Sequence, residues 1–334
     1  MKIGSLESGN VTIKVLTTNT TSLTVLTEEK FKGKVIQPLT KANRVVGEHG
    51  LSMSIEVEEG DKKNLYLIDT GSLTQSIFGN AKQLGVDLTE VEKLILTHGH
   101  FDHFGGLLGL MPQLKEGTEF IVNPSCFMQN VIIAPKQGVK LTSEDLSRGL
   151  RKLQKEGKVQ LARKLPSLDK NKIHALAEQY KINLNETVEP IKMHDGIVTS
   201  GQIELFDPEE TTKGIYLQKD KNNLEKHTFR DETAVYMNIN DKGLVVLTGC
   251  GHCGIKNIIQ HGQKLTGIEN VYAVIGGFHE EWNPEALVLE KVKYLESLNP
   301  EVICGMHCTG FTFNKLMSRH PAHTLGIVGT EFHL

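Results

Sequence analysis

Apolar residues fall in short runs along this chain, and the spacing inside each run indicates the element it builds. Residues 11–17 and 22–27 are rich in Val, Ile, Leu and Thr and predict strands. Residues 28–50, with Lys, Gly and Pro, read as a loop. Residues 51–57 alternate apolar and polar, and Leu65-Tyr66-Leu67-Ile68 is a continuous apolar run. The two predict paired strands, with a turn at Asp61-Lys62-Lys63-Asn64. A helix is expected over 77–84, closed by Gly85. Leu94-Ile95-Leu96 predicts the next buried strand, and residues 105–110 open another helix. Strands alternating with helices in this way read as half of an α/β sandwich.

The pattern changes after Pro135. Residues 143–185 are strongly charged and helical in spacing, with one helix starting at Ser143-Glu144-Asp145 and another over 170–180. Pro166 separates them, since proline removes a backbone donor and clashes with the preceding turn. No cluster of ligand-type side chains occurs in this block. Residues 136–212 therefore read as an insertion within a single 1–334 domain, either a cap over a site or a solvated surface excursion. Strands return at 214–217, 233–239 and 244–247, followed by the glycine-rich turn Thr248-Gly249-Cys250-Gly251-His252-Cys253-Gly254. A helix over 255–265, a strand over 271–275, a helix over 284–298 and a last strand at Val302-Ile303 complete the chain's regular elements.

The densest chemistry lies where a strand ends. Leu94-Ile95-Leu96 runs into Thr97-His98-Gly99-His100-Phe101-Asp102-His103, three imidazoles and a carboxylate in six residues. His98 and His100 are two apart and point the same way in extended chain. Asp102 and His103 follow where a helix can begin and offer donors on a second face. Such a cluster can feed two adjacent metals, and imidazole with carboxylate suits zinc, iron or manganese. Three further apolar strands lead into His252, His279 and His307. In layered α/β folds the loops at strand ends converge, so four histidine-bearing strand ends point to one site.

Bulk properties narrow the partners. The 334 residues carry a net charge of −3, which gives no electrostatic case for a nucleic-acid partner. No stretch approaches the roughly 20 apolar residues of a membrane helix. The first ten residues show no apolar targeting segment, and five cysteines, Cys126, Cys250, Cys253, Cys304 and Cys308, are an odd count. Both features predict reduced thiols in a cytoplasmic protein. There is no Gly-x-Ser-x-Gly elbow and no P-loop, so serine catalysis and that route of nucleotide hydrolysis have no support.

The run His98-Gly99-His100-Phe101-Asp102-His103 after an apolar strand resembles the signature of the metallo-β-lactamase superfamily. Further segments are similar to its dihydropterin-ribofuranosylaminobenzene-phosphate-synthase-like branch: Gly47-Glu48-His49-Gly50, Leu67-Ile68-Asp69-Thr70-Gly71, Asp231-Glu232, residues 243–254, Ile275-Gly276-Gly277-Phe278-His279 and His307-Cys308-Thr309-Gly310. The resemblance implies a four-layer αββα sandwich, with sheets inside, helices outside and a helical insertion. It implies one metal on His98, His100 and a third histidine, and a second on Asp102, His103 and His307. Many relatives bridge the two with an Asp after a Gly; here that strand ends in Cys250. His252 is the replacement candidate for the third histidine, and Cys250 is a thiolate ligand or, preferably, a small packed residue. His279 is a ligand, a phosphate-holding group or, preferably, a general acid, while Asp102 can also orient the attacking water. Asp69 belongs behind the ligands, where a carboxylate fixes a histidine tautomer. Glu48 and His49 line the pocket, and Asp231 and Glu232 are pocket acids or solvated edge residues.

The expected cofactor is a divalent metal, two zinc ions or manganese or iron in their place. A divalent ion lowers the pKa of water to about 7 and polarises a carbonyl or phosphoryl oxygen. The expected reaction is hydrolysis or group transfer on a small, phosphate-bearing molecule, with no nucleic acid, no membrane and a homo-oligomer admissible. Rivals are a phosphodiesterase or nuclease of the same fold, which needs a basic groove, and a di-iron redox protein, which needs a flavodoxin-like partner domain. A third is a metal or ligand sensor that turns nothing over.

Overall fold

The computed structural model describes residues 1–22, 24–38, 44–220 and 223–334. Two large sheets form its centre. The first has eight strands in the spatial order Val35–Ile36, Glu331–His333, Val11–Thr17, Ser52–Glu59, Lys62–Ile68, Val91–Leu96, Glu119–Val122 and Asn183–Glu186. The last four of these run parallel and the rest antiparallel. The second has six strands in the order Lys192–His194, Ile197–Thr199, Val235–Ile239, Gly243–Thr248, Val271–Gly276 and Val302–Gly305, the last three parallel.

Alternation along these strands assigns the layers. Ile13, Met53, Ile55 and Ile95 of the first sheet meet Val235, Met237, Val245 and Ile275 of the second in one core between the sheets. The opposite face of the first sheet, with Leu67, Leu94, Leu96 and Phe120, is covered by Ile77 and Ala81 of helix Thr74–Leu84 and Ile173 of helix Lys170–Gln179. The outer face of the second, with Tyr236, Val246, Val274 and Ile303, lies under helices Ile255–Thr266, Glu285–Ser297 and Gly310–Met317. Burying each such aliphatic side chain stabilises the fold by about 1.5–3 kcal/mol. The result is the expected αββα sandwich.

A third sheet of four antiparallel strands, in the order Leu224–Lys226, Ile215–Gln218, Gln129–Pro135 and Val159–Lys164, has its own small core of Val131, Ile133, Leu146, Leu153 and Leu224. One of its strands precedes the 136–212 limits, one, Val159–Lys164, lies within them, and two follow. Within those limits Lys170–Gln179 and the strands at 183–186, 192–194 and 197–199 belong to the large layers instead.

Three local expectations differ from what is observed. The described residues of 22–27 form no strand, with Leu23 outside the description. There Ser22 Oγ accepts the Thr24 N–H and Thr27 Oγ1 accepts the Gln37 N–H, local bonds that compete with strand pairing. The hairpin turn is Gly60-Asp61 rather than 61–64, because Glu59 pairs with Lys62 and Gly60 supplies the positive φ a two-residue turn requires. The charged block 143–185 is not wholly helical. Gly149 and Gly157 sit at φ 77 and 64 and bound the short helix Leu150–Lys155, after which Val159–Lys164 pairs with Gln129–Pro135. No helix among the described residues is long and apolar enough to cross a membrane.

Candidate metal centre

Five strand ends meet at one edge of the sandwich. Lys62–Ile68 delivers Asp69, Val91–Leu96 delivers Thr97 to His103, Gly243–Thr248 delivers Cys250 and His252, Val271–Gly276 delivers His279, and Val302–Gly305 delivers His307. Asp69, His279 and His307 take left-handed backbone conformations, with φ 56, 51 and 53. Such conformations are costly for side chains with a Cβ and concentrate at functional sites. Gly249 permits the closest approach: a Cβ there would lie 2.1 Å from Thr97 Oγ1 and 3.2 Å from Asp69 Oδ2.

Hydrogen bonds behind the imidazoles decide which nitrogens face inward. Asp69 is fully buried and accepts the Thr97 N–H at 2.7 Å, the Thr97 hydroxyl at 2.7 Å and His103 Nδ1–H at 2.6 Å. Because Thr97 Oγ1 spends its proton on Asp69, it accepts from His98 Nδ1 at 3.0 Å. His307 Nδ1–H donates to Asn19 Oδ1 at 2.9 Å, and His252 Nδ1 lies 3.2 Å from the Thr212 hydroxyl. When neutral, His98, His103 and His307 therefore each turn an unprotonated Nε2 inward. His100 is reversed, with Nδ1 3.1 Å from His252 Nε2.

Two donor groups result among the described residues. Asp102, His103, Cys250 and His307 place one ligand-type atom each within 4.8 Å of one another, and so do His98, Cys250 and His252. In the first, His103 Nε2 lies 3.1 Å from Cys250 Sγ and 3.3 Å from His307 Nε2, and Asp102 Oδ2 is 3.1 Å from His307 Nε2. In the second, His98 Nε2 is buried, carries a lone pair and has no hydrogen-bond partner. A lone pair in that position costs free energy unless something accepts it. A divalent cation fits these residues on that ground.

The electrostatics agree with the donor chemistry. Burial, with neighbouring imidazoles, pushes His98 and His252 well below the usual histidine range, and burial brings His100 to about 4. These rings are neutral near pH 7, as ligands must be. Burial opposes charge on His103 too, but Asp69 and Asp102 outweigh it and raise its pKa. Burial likewise opposes charge on Asp102, and the imidazoles of His103 and His307 overcome it and hold its carboxyl well below the carboxylate range.

The remaining expected residues separate by position. Cys250, expected chiefly to pack, is buried and has its Sγ in both donor groups. His279 lies in neither; its ring centroid is 4.2 Å from that of His252 and 5.2 Å from the exposed Trp282. Burial brings His279 to about 4, so near pH 7 its imidazole is neutral and offers an N–H donor. His49, with a side chain 60% exposed, reaches Asp102 Oδ2 at 3.4 Å from the mouth of the site. Glu48 faces away from the donors and accepts the Ser72 N–H at 2.9 Å. Asp231 and Glu232 are fully buried, not solvated edge residues. Asn19, Thr97 and Thr212 were not singled out by the sequence, because a hydroxyl or amide bonded to a ring nitrogen leaves no spacing signature.

A family model described as the metallo-β-lactamase superfamily matches residues 48–118. The chain is 30% identical over 268 residues to the 7,8-dihydropterin-6-methyl-4-(β-D-ribofuranosyl)-aminobenzene-5'-phosphate synthase of Methanocaldococcus jannaschii, covering 79% of this chain and 82% of that one. An uncharacterized protein of the same organism is 24% identical over 296 residues, 89% of this chain and 97% of its own. Among solved structures, Tm1679, a metal-dependent hydrolase of the β-lactamase superfamily, superposes with a TM-score of 0.67 at 21% identity, over 97% of this chain and 99% of that one.

Proposed function

Because the chain belongs to the metallo-β-lactamase superfamily, in its dihydropterin-ribofuranosylaminobenzene-phosphate-synthase-like branch, we propose that it is a metal-dependent enzyme acting by hydrolysis or group transfer on a small phosphate-bearing molecule. The observation that carries this reading is the buried, unpartnered Nε2 of His98 beside two donor groups that share Cys250. His98, His100 and His252 would hold one divalent ion and Asp102, His103 and His307 a second, with Cys250 between them. Zinc suits this mixture of imidazole, carboxylate and thiolate, and manganese or iron suits the nitrogen and oxygen donors. When bound, the ions supply Lewis acidity and lower the pKa of water to about 7.

The chain's own residues do the rest. Asp69 and Asn19 hold His103 and His307 in the tautomers that face inward. Asp102 accepts a hydrogen bond from an attacking water and orients it. The neutral N–H of His279 donates to the substrate beside Trp282. The four-stranded sheet at 129–226 acts as a cap that limits access to solvent. The compound for which the relative is named carries a 5'-phosphate, which is the reason for the substrate class. Protein purified without added metal should contain zinc, manganese or iron, and should turn over a member of a phosphoester, lactone and thioester panel. His279→Ala should lower turnover at least tenfold with metal content intact. Full metal content with no turnover on any substrate would replace the enzyme by a sensor, and absence of metal would remove the whole reading.

All five cysteines are free in the structure. They fit a reducing, cytoplasmic setting. All five should therefore titrate in denatured, unreduced protein, and a native disulfide found by mass spectrometry would refute that setting.

A further inference from the structure

The segment returning from the third sheet carries two buried charged-type side chains that the metal reading leaves unused. Strand Leu224–Lys226 ends at His227, and the chain then passes Phe229, Asp231 and Glu232 before entering the second large sheet at Val235. The dipeptide Asp231-Glu232 ties the two donor loops together. Asp231 Oδ2 accepts the Gly99 N–H at 2.9 Å, inside the His98 to His103 loop. Glu232 accepts the His252 N–H at 2.8 Å and the Cys253 N–H, inside the other. Thr233 N–H donates to Thr97 O at 2.7 Å and closes the seam.

Asp231 Oδ1, His227 Nε2 and, on the residue next to Gly99, His100 Nε2 are buried without hydrogen-bond partners. Their protonation follows from the opposite side of each ring. His227 Nδ1 accepts the Phe229 N–H at 2.8 Å, so the neutral ring carries its proton on Nε2, which faces Asp231 Oδ1 at 3.4 Å. His100 turns Nδ1 toward His252, and with that nitrogen given to a metal its proton would be on Nε2. The cluster thus offers two N–H donors and one carboxylate acceptor. The charges of Asp231 and His100 also act on each other. Phe229 locks the arrangement sterically: its ring stacks at 4.2 Å and 6° on His227 and at 4.3 Å and 9° on His252.

Resting on the metal reading above, we propose that Asp231 is the positioning residue for His100. Its carboxylate takes the Nε2–H of His100 across one buried water, and so presents Nδ1 as the donor, while His227 holds Oδ1 in place. It is the counterpart of Asp69 on His103, supplied by the chain segment that returns from the cap.

The test uses the full chain loaded with zinc. Asp231→Asn should weaken zinc by about 10–100-fold in competition with a chromophoric chelator, the usual size of such an effect. In long-range proton–nitrogen spectra taken before zinc is added, the His100 proton should no longer be fixed on Nε2. His227→Phe keeps the stack on Phe229 but removes the donor and should weaken zinc by about tenfold, and His227→Gln, which restores an N–H, should recover part of that loss. Wild-type affinity and tautomer in Asp231→Asn would overturn the proposal. If Asp231→Asn does not fold, the His227 pair decides, and equal affinity in Phe and Gln variants would overturn it. A wild-type chain that binds no zinc at all would instead refute the metal reading.

Discussion

His103→Ala is expected to strip at least a full equivalent of bound metal from the chain while leaving it folded. Three observations set that size. His103 Nε2 stands within 3.3 Å of both Cys250 Sγ and His307 Nε2, so alanine opens the centre of the four-donor group. Its Nδ1–H is held by Asp69 at 2.6 Å, which fixes the orientation of the ring that alanine removes. The metal also displaces a proton favoured by Asp69 and Asp102, so the substitution removes a site in which metal binding and proton release are linked. The fold should survive because Asp69 keeps both Thr97 bonds. Losing one donor to a buried carboxylate costs about 1–3 kcal/mol, a few degrees of melting temperature in a chain this size. His98→Ala should empty the other group in the same way. His49→Ala is the contrast: its side chain is 60% exposed and only approaches Asp102, so metal content should hold. Metal-to-protein ratios by mass spectrometry decide, and unchanged ratios in both His98→Ala and His103→Ala would disprove the site.

The part of this site that sequence exposes is the part that is local. His98 to His103 are contiguous, and Leu94-Ile95-Leu96 announces the strand that presents them. Helix Thr74–Leu84 was legible for the same reason, since Gly85 at φ 71 provides the left-handed cap that ends it. What sequence hides is set by contacts across the sandwich. Asn19 reaches His307 over 288 residues, and the bond from Gly99 N–H to Asp231, 132 residues on, places an acid whose role the sequence left open. Strand Val159–Lys164 was hidden differently. Gln160, Arg163 and Lys164 are exposed on an edge strand, and its identity comes from pairing with Gln129–Pro135 rather than from alternation. Cys250 shows the limit most clearly. Its neighbours in sequence suggested a small packed residue, and only the meeting of Val91–Leu96 with Gly243–Thr248 puts its sulfur among the donors.

A sulfur atom in the metal coordination sphere, lost in Cys250→Ser, is the second large effect expected. Cys250 Sγ belongs to both donor groups and sits 3.1 Å from His103 Nε2. Without metal, burial pushes its thiol well above the usual range, so it is protonated; a coordinating thiol gives up that proton. Zinc–sulfur bonds are about 2.3 Å and zinc–nitrogen bonds about 2.0–2.1 Å, a difference X-ray absorption resolves. The wild-type protein loaded with zinc should show a sulfur shell near 2.3 Å. In Cys250→Ser that shell should vanish, and zinc affinity should fall by at least the 10–100-fold expected for a less direct contact. Cys308 is the internal control. It is buried nearby, but its thiol donates to Cys250 O at 3.4 Å and lies outside both donor groups, so Cys308→Ser should keep the sulfur shell. Nitrogen and oxygen neighbours alone in the wild type would return Cys250 to packing. A shell that disappears in Cys308→Ser instead would move the ligand two strands away, to the end of Val302–Gly305, and with it the point where the two donor groups meet.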